Sequence, residues 1–228
     1  MNIAITGAGD IGATLTLRLT ALGHHVRVAN SRGPETLAAL AKETGAHPTA
    51  LAEVTQEAEV VIVALPQKAI ATFKPRPAER PTPARARSRH RQLRAEPARP
   101  SHRRTRPRCR RKQVGRDARW PPSTKAFNSI IAHHLLTLGA PAGNPNRIAV
   151  PVGCDDPTAK TTVLDLIEDL GFDAIDAGRL DDSWRQQPGT PVYTTDLDAD
   201  HARTALTQAK AEHTEQWRAR MVARASSS

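Results

Sequence analysis

Three glycines spaced Gly7-x-Gly9-x-x-Gly12 carry the first chemistry legible in this chain, and that chemistry is phosphate binding. Gly7 permits a tight turn, Gly9 lets the backbone approach a pyrophosphate, and Gly12 allows a helix to pack closely on a strand. Exposed N–H groups at the helix start, near Asp10 and Ile11, then point at the anion, helped by the helix dipole. The spacing alone also fits a tight turn without a ligand. Its context is what makes it specific: an apolar strand precedes it and a helix follows.

Asn30-Ser31-Arg32 is the second such group. It falls at the end of the next strand, where NAD-binding domains place an Asp or Glu to accept hydrogen bonds from the ribose hydroxyls. No carboxylate stands at these three positions. A serine hydroxyl and a guanidinium suit the 2′-phosphate of NADP(H), because Arg gives charge-assisted and often bidentate contacts to phosphate. An exposed loop arginine is the competing reading.

The elements that must position these groups alternate strand and helix. Strands are expected at 2–6, 25–29, near 49–51 and at 60–65, the last closed by Pro66. Helices are expected after Gly9, where Leu15, Leu19 and Leu22 recur and Gly23 ends the run, at 34–42 and briefly at 53–58. Later come a helix at 129–138, a strand at 147–152, an amphipathic helix at 157–170 and a strand at 172–176. A long C-terminal helix is expected at 199–223, before a fraying serine tail. The fold class is α/β: a Rossmann-type doubly wound parallel sheet over residues 1–195, with a small C-terminal helical extension over 196–228.

Composition sharpens this and breaks it in one place. The net charge of +10 looks like a nucleic-acid signal until it is located. Residues 74–122 hold sixteen Arg and two Lys against three acidic residues, and nine of the 18 prolines. Outside that block 15 basic and 20 acidic residues remain, a balance of about −5, as in an ordinary cytoplasmic enzyme. Cys109 and Cys154 cannot make a disulfide framework, and no stretch approaches the ~20 apolar residues of a membrane span. A soluble cytoplasmic protein without a membrane partner is expected. His24-His25 and His133-His134 are sequence neighbours whose rings diverge, and neither they nor the cysteines have metal-ligand spacing. Trp184 and Trp217 read as packing residues or as part of a subunit contact, which leaves a homodimer open.

With these pieces in order, the chain resembles the NADPH-dependent coenzyme F420 reductase family of NADP oxidoreductases. The resemblance is carried by residues 5–12, 30–37 and Val63-Ala64-Leu65-Pro66, then by Lys125-Ala126-Phe127-Asn128, Gly153-Cys154-Asp155-Asp156 and residues 171–178. It covers about 1–73 and 124–195. It implies hydride transfer between NADPH and a deazaflavin, coenzyme F420, or a similar small-molecule acceptor. It also implies phosphate contacts at Ala8 to Ile11, 2′-phosphate contacts at Ser31 and Arg32, and a cofactor wall at Leu65 and Pro66. Asn128, Ile130 and Ala132 would lie near the nicotinamide and the acceptor; from its own surroundings Asn128 reads equally as a helix N-cap. Direct hydride transfer needs positioning more than a proton donor, so no catalytic acid or base is named.

Residues 74–122 depart from the family, which has apolar strands and a helix there. A segment this rich in Arg and Pro lacks the apolar runs to build a buried sheet and is expected to be disordered, leaving strand edges unpaired. An Arg-, Pro-, Ala- and Ser-rich run is what a GC-rich gene yields out of frame. The working explanation is a pair of compensating frameshifts near Phe73 and Thr124; absence of a Val/Ile-rich strand in both other frames would overturn it. Two alternatives stand beside the main reading. One is an NADPH-dependent reductase of a metal ion, flavin or imine. The other is an Arg-rich nucleic-acid-binding protein, although one Trp in the block and no repeat support only nonspecific phosphate contact.

Overall fold

The computed structural model describes residues 1–65 and 123–225, with side chains up to residue 223. The expectations placed on Pro66, on residues 74–122 and on the tail after 225 lie outside the described residues.

β1 (Asn2–Thr6) pairs in parallel with β2 (His25–Ala29) on one side and β4 (Val60–Val63) on the other. β3 (His47–Pro48) adds to β2, giving the order β3-β2-β1-β4. A second sheet has the order β5-β6-β7. In it β6 (Ala149–Cys154) runs parallel to β7 (Asp173–Asp176) and antiparallel to the short β5 (Thr124–Lys125).

Strand alternation explains how both sheets share one core. Ile3 and Ile5 of β1 and Val150 and Val152 of β6 point into the same cluster, together with Ile148 just before β6. Ala4 and Ala149, one residue out of phase, point to the opposite face and into two separate clusters. The shared core is covered by α1 (Asp10–Ala21), α2 (Ala38–Thr44), α3 (Ala132–Thr137) and α4 (Pro157–Asp169), through Leu15, Leu19, Leu40, Leu135, Leu166 and Ile167. Of these, Leu40 is half-buried, and each of the fully buried aliphatic side chains stabilises the fold by about 1.5–3 kcal/mol. On the other face, α5 (Ala199–Gln208) lays Ala202, Ala205 and Leu206 on Ala149 and Ile175, while Val54 packs under Ala4 and Ala29. Helices and turns thus cover both faces of largely parallel sheets, which is the expected Rossmann-type α/β class.

Arg18, in the last turn of α1, ties the two halves together. Its Nη1 donates to the carbonyls of Leu135 (3.0 Å) and Leu136 (3.1 Å), and its Nη2 donates to that of Leu170. These carbonyls end α3 and α4, where helix geometry leaves C=O groups without intrahelical partners. The guanidinium also lies over the Phe172 ring, 5.9 Å from its centroid, and burial lowers its pKa. Gly139 makes room for it: a Cβ there would sit 2.7 Å from Nη2.

Several elements differ from the sequence reading. The strand expected near 49–51 is at His47–Pro48, and in place of the brief helix expected at 53–58 the chain forms turns over 51–57. β4 stops at Val63, two residues early. The helix expected from Ser129 begins at Ala132, because the backbone bends through 127–130. The long C-terminal helix is two, α5 and α6 (Ala211–Ala225), separated where Ala209 turns extended (φ −62°, ψ 131°).

Candidate functional site

The glycine turn sits where β1 meets α1, between the ends of β2 and β4. Gly7 adopts φ +99° and donates its N–H to Ala29 O at 2.7 Å. A Cβ at Gly7 would lie 2.4 Å from Ala64 O, and one at Gly12 would lie 1.9 Å from Gly7 O. Both positions therefore need glycine for the fold itself. Gly9 is different. Its backbone (φ −79°, ψ −173°) suits any residue, and a Cβ there would meet no described atom within 4 Å. Nothing within the described fold requires glycine at this point.

Gly9 is also the N-cap of α1, with no side-chain cap hydrogen bond. The N–H groups of Asp10, Ile11 and Gly12 lack intrahelical acceptors and form the positive end of the helix dipole. Gly9 and Asp10 are exposed, whereas Ala8 and Ile11 are half-buried against the main core. The arrangement is an open cradle that fits a pyrophosphate.

Asn30 organises the loop after β2. Its Oδ1 accepts from Arg32 N–H at 2.9 Å, and its Nδ2 donates to Thr36 Oγ1 at 2.8 Å. Thr36 Oγ1 in turn donates to Gly33 O at 2.8 Å. Asn30 is thus a loop brace, and Ser31 and Arg32 are presented exposed at the tip. The Arg32 guanidinium makes no hydrogen bond or ion pair among the described residues. Glu35, which the sequence reading did not weigh, folds its carboxylate over Gly33: a Cβ at Gly33 would lie 2.2 Å from Oε1.

Leu65 borders the turn, its Cδ2 lying 3.0 Å from where a Gly7 Cβ would be. Ala126, Phe127 and Ile130 join the same core cluster as Ala8 and Ile11 of the turn and the start of α1. Within this segment the three candidate residues part company. Asn128 is no N-cap, since Ile131 caps α3; its Nδ2 donates instead to Gln186 O, and its Oδ1 is buried without a hydrogen-bond partner among the described residues. Ile130 is only 4% exposed and turned into the core, so its side chain is packing and its backbone alone can face a ligand. Ala132 opens α3, half-buried.

The structure adds a feature the sequence did not announce. Phe127 (φ 58°), Thr194 (φ 55°) and Asp196 (φ 48°) all occupy the left-handed region without being glycine. Such residues cost of order 1–3 kcal/mol each and persist only where their surroundings hold them. Among the described residues no group of three or more His, Cys, Asp or Glu side chains is placed to hold a metal. No described helix is long and apolar enough to cross a membrane.

Comparison with known proteins follows the same outline. Residues 2–80 match the family model described as NADP oxidoreductase, coenzyme F420-dependent. The Escherichia coli (strain K12) protein YjhV is 41% identical over 70 residues, which are 31% of this chain. The chain spans about half, 48%, of that curated relative's length. A Sinorhizobium meliloti protein described as hypothetical, SMa0349, superposes with a TM-score of 0.62 at 25% identity, covering 88% of this chain and 96% of its own. An Arthrobacter sp. FB24 protein described as an inferred F420-dependent NADP reductase gives a TM-score of 0.57 at 24% identity, covering 80% and 87%; at that identity the likeness is one of fold. Over residues 2–80, then, this chain carries the pattern of the coenzyme F420-dependent NADP oxidoreductases, as its motifs imply, on a Rossmann-type fold that runs through both halves.

Proposed function

We propose that the chain is an NADP(H)-dependent oxidoreductase that passes hydride between NADPH and a deazaflavin, coenzyme F420, or a similar small-molecule acceptor. Gly9 carries the reading: a glycine that neither backbone conformation nor described packing requires, at the uncapped start of a helix. The fit is one of shape and charge. The Asp10, Ile11 and Gly12 N–H groups would donate to the pyrophosphate, with Gly7 and Gly12 holding the turn in place. Arg32 would pair with the 2′-phosphate, Ser31 would donate its hydroxyl, and Asn30 would keep the loop in register. Leu65 would shield one side of the nicotinamide, with Pro66 beside it, and the backbone at Asn128 to Ala132 would face the other side.

When bound, NADPH supplies the hydride. The chain's own part is to orient the ring and exclude water, so the site needs no side chain as acid or base. Support for the acceptor comes from the family pattern over residues 2–80. A metal ion, flavin or imine acceptor is separated from it by an NADPH-oxidation assay across all four acceptor classes. The same proposal includes a cytoplasmic site of action, a homodimer, and nonspecific nucleic-acid contact through residues 74–122. Calorimetric titration with NADPH tests the core of it, since a chain that does not bind NADPH has no such activity.

A further inference from the structure

Three of the four non-glycine left-handed residues among those described, Phe127, Thr194 and Asp196, meet at one segment, while the fourth, Glu57, lies apart in the turns before β4. Thr194 N–H donates to Ser129 O at 2.8 Å, directly beside Asn128. Two residues on, Asp196 Oδ2 lies 2.5 Å from His134 Nδ1 on α3, both side chains being about a third exposed or less (27% and 30%). That contact is electrostatic and not an aligned hydrogen bond, since Nδ1 has no hydrogen-bond partner among the described residues, and the other carboxylate oxygen is buried without one. Residues 127–134 are therefore gripped at two points by 194–196, and left-handed residues stand on both sides of the grip.

The gripping segment is itself fixed. Val192 is buried with Ala149 and Ile175, and Leu197 O accepts from Ala149 N–H of β6 at 2.8 Å. Local bonds brace the stretch between them: Tyr193 N–H to Thr190 O at 3.1 Å and Thr195 Oγ1 to Pro191 O at 3.0 Å. A simple connector could meet the same path with glycine or asparagine. Phe and Thr in left-handed geometry mean that the position of the chain matters more here than its ease.

We propose that Thr194 and Asp196 form a clamp that positions residues 127–134 as the wall of the dinucleotide site, with the His134–Asp196 contact as its adjustable member. The inference rests on reading the glycine turn as an NADP(H) site. On that reading the clamp acts on the nicotinamide end, because the segment it holds carries Asn128 to Ala132 and packs on the core cluster that Ala8 and Ile11 also join, while α1 and the β2 loop would hold the phosphates. Asp196 and His134 are thus positioning residues that touch no ligand.

The test titrates the full chain calorimetrically with NADPH and with 2′-phospho-ADP-ribose, which lacks the nicotinamide. Asp196→Ala should weaken NADPH roughly tenfold and change 2′-phospho-ADP-ribose by less than about twofold. Asp196→Asn tolerates the left-handed backbone and removes only the charge, so it should show the same NADPH-selective loss as Asp196→Ala. His134→Gln leaves the 194–196 backbone untouched; it should show the same ligand-selective loss and carries the test if Asp196→Ala does not fold. Equal losses for both ligands would show a merely structural role and overturn the clamp, as would no loss for either. A parent chain that binds neither ligand overturns the dinucleotide reading itself, and the clamp with it.

Discussion

Replacing Gly9 with alanine separates a glycine kept for a ligand from glycines kept for the fold. The new methyl would meet no described atom within 4 Å, and the backbone at φ −79° accepts it. The folding cost is confined to exchanging Gly for Ala at an N-cap, about 0.5–1 kcal/mol. Lower entropy of the unfolded chain offsets about 0.4–1 kcal/mol of that. Net stability should therefore stay within about 1 kcal/mol of the parent in urea unfolding. Binding should respond differently, because the methyl projects into the space through which a pyrophosphate would reach the α1 N–H groups. Losing one charge-assisted hydrogen bond costs about 1.5–3 kcal/mol, or a roughly 10- to 100-fold rise in Kd for NADPH by calorimetry. Gly12→Ala is the counterpart: its Cβ would fall 1.9 Å from Gly7 O, a backbone atom that cannot move aside cheaply, so stability itself should drop by about 1–3 kcal/mol or more. If Gly9→Ala binds NADPH like the parent, or unfolds like Gly12→Ala, the ligand argument is wrong.

Other consequences can be checked with the same preparations. Arg32→Ala should raise the Kd for NADPH roughly tenfold or more and leave NADH unchanged, because only NADPH carries the 2′-phosphate. Arg18→Met should lower stability by about 2–4 kcal/mol in urea unfolding, since it strips a charged donor from the carbonyls of Leu135, Leu136 and Leu170 at the junction of the two halves; a loss under about 0.5 kcal/mol would show that solvent replaces the guanidinium there. Asp176 predicts an acid limb. Burial alone would raise its pKa, but hydrogen bonds from Lys160 Nζ and Gly178 N–H, with the Lys160 charge, hold it below the usual 3.8. Its stabilising contribution is thus fully present above 3.8 and is lost as pH falls from there through the lower folded value. Lys160→Met should shrink that acid loss measured by unfolding across pH; an unchanged acid limb would rule the pair out as its source.

How much of this was legible in the sequence depended on range. The β1–turn–α1 unit was readable because all its information is local: an apolar run, three glycines and leucines at helical spacing. The third strand was misplaced because it makes only two pairings, Arg27 with His47 and Val28 with Pro48, while the more apolar Leu51 and Val54 pack beneath Ala4 and Ala29 from turns. The break between α5 and α6 has no glycine or proline to mark it. α6 is docked on Gly189, where a Cβ would lie 2.6 Å from His213 O and 3.0 Å from Trp217 Cβ, and that contact, about twenty residues upstream, sets its direction. Ile130 illustrates the limit within the site, since a residue's place beside a ligand wall does not say whether its side chain faces the ligand or the core. The clamp was invisible for the same reason: Asp196 and His134 are 62 positions apart.

The arginine block adds a different constraint. The described sheets stop at β4 on one side and at the two-residue β5 on the other. Residues 74–122, with sixteen Arg and nine Pro, do not have the composition of buried strands. We propose compensating frameshifts as the source of that composition; peptide mapping of the natively expressed protein across 66–130 would give Val-, Ile- and Tyr-rich peptides if they occurred and arginine-rich ones if they did not.

Whether the glycine turn and the Ser31–Arg32 loop together hold NADP(H) is decided by parallel calorimetric titration of the full chain with NADPH and NADH. NADPH should bind saturably and roughly tenfold or more tighter than NADH; equal affinity for the two, or no binding of either, would rule that site out.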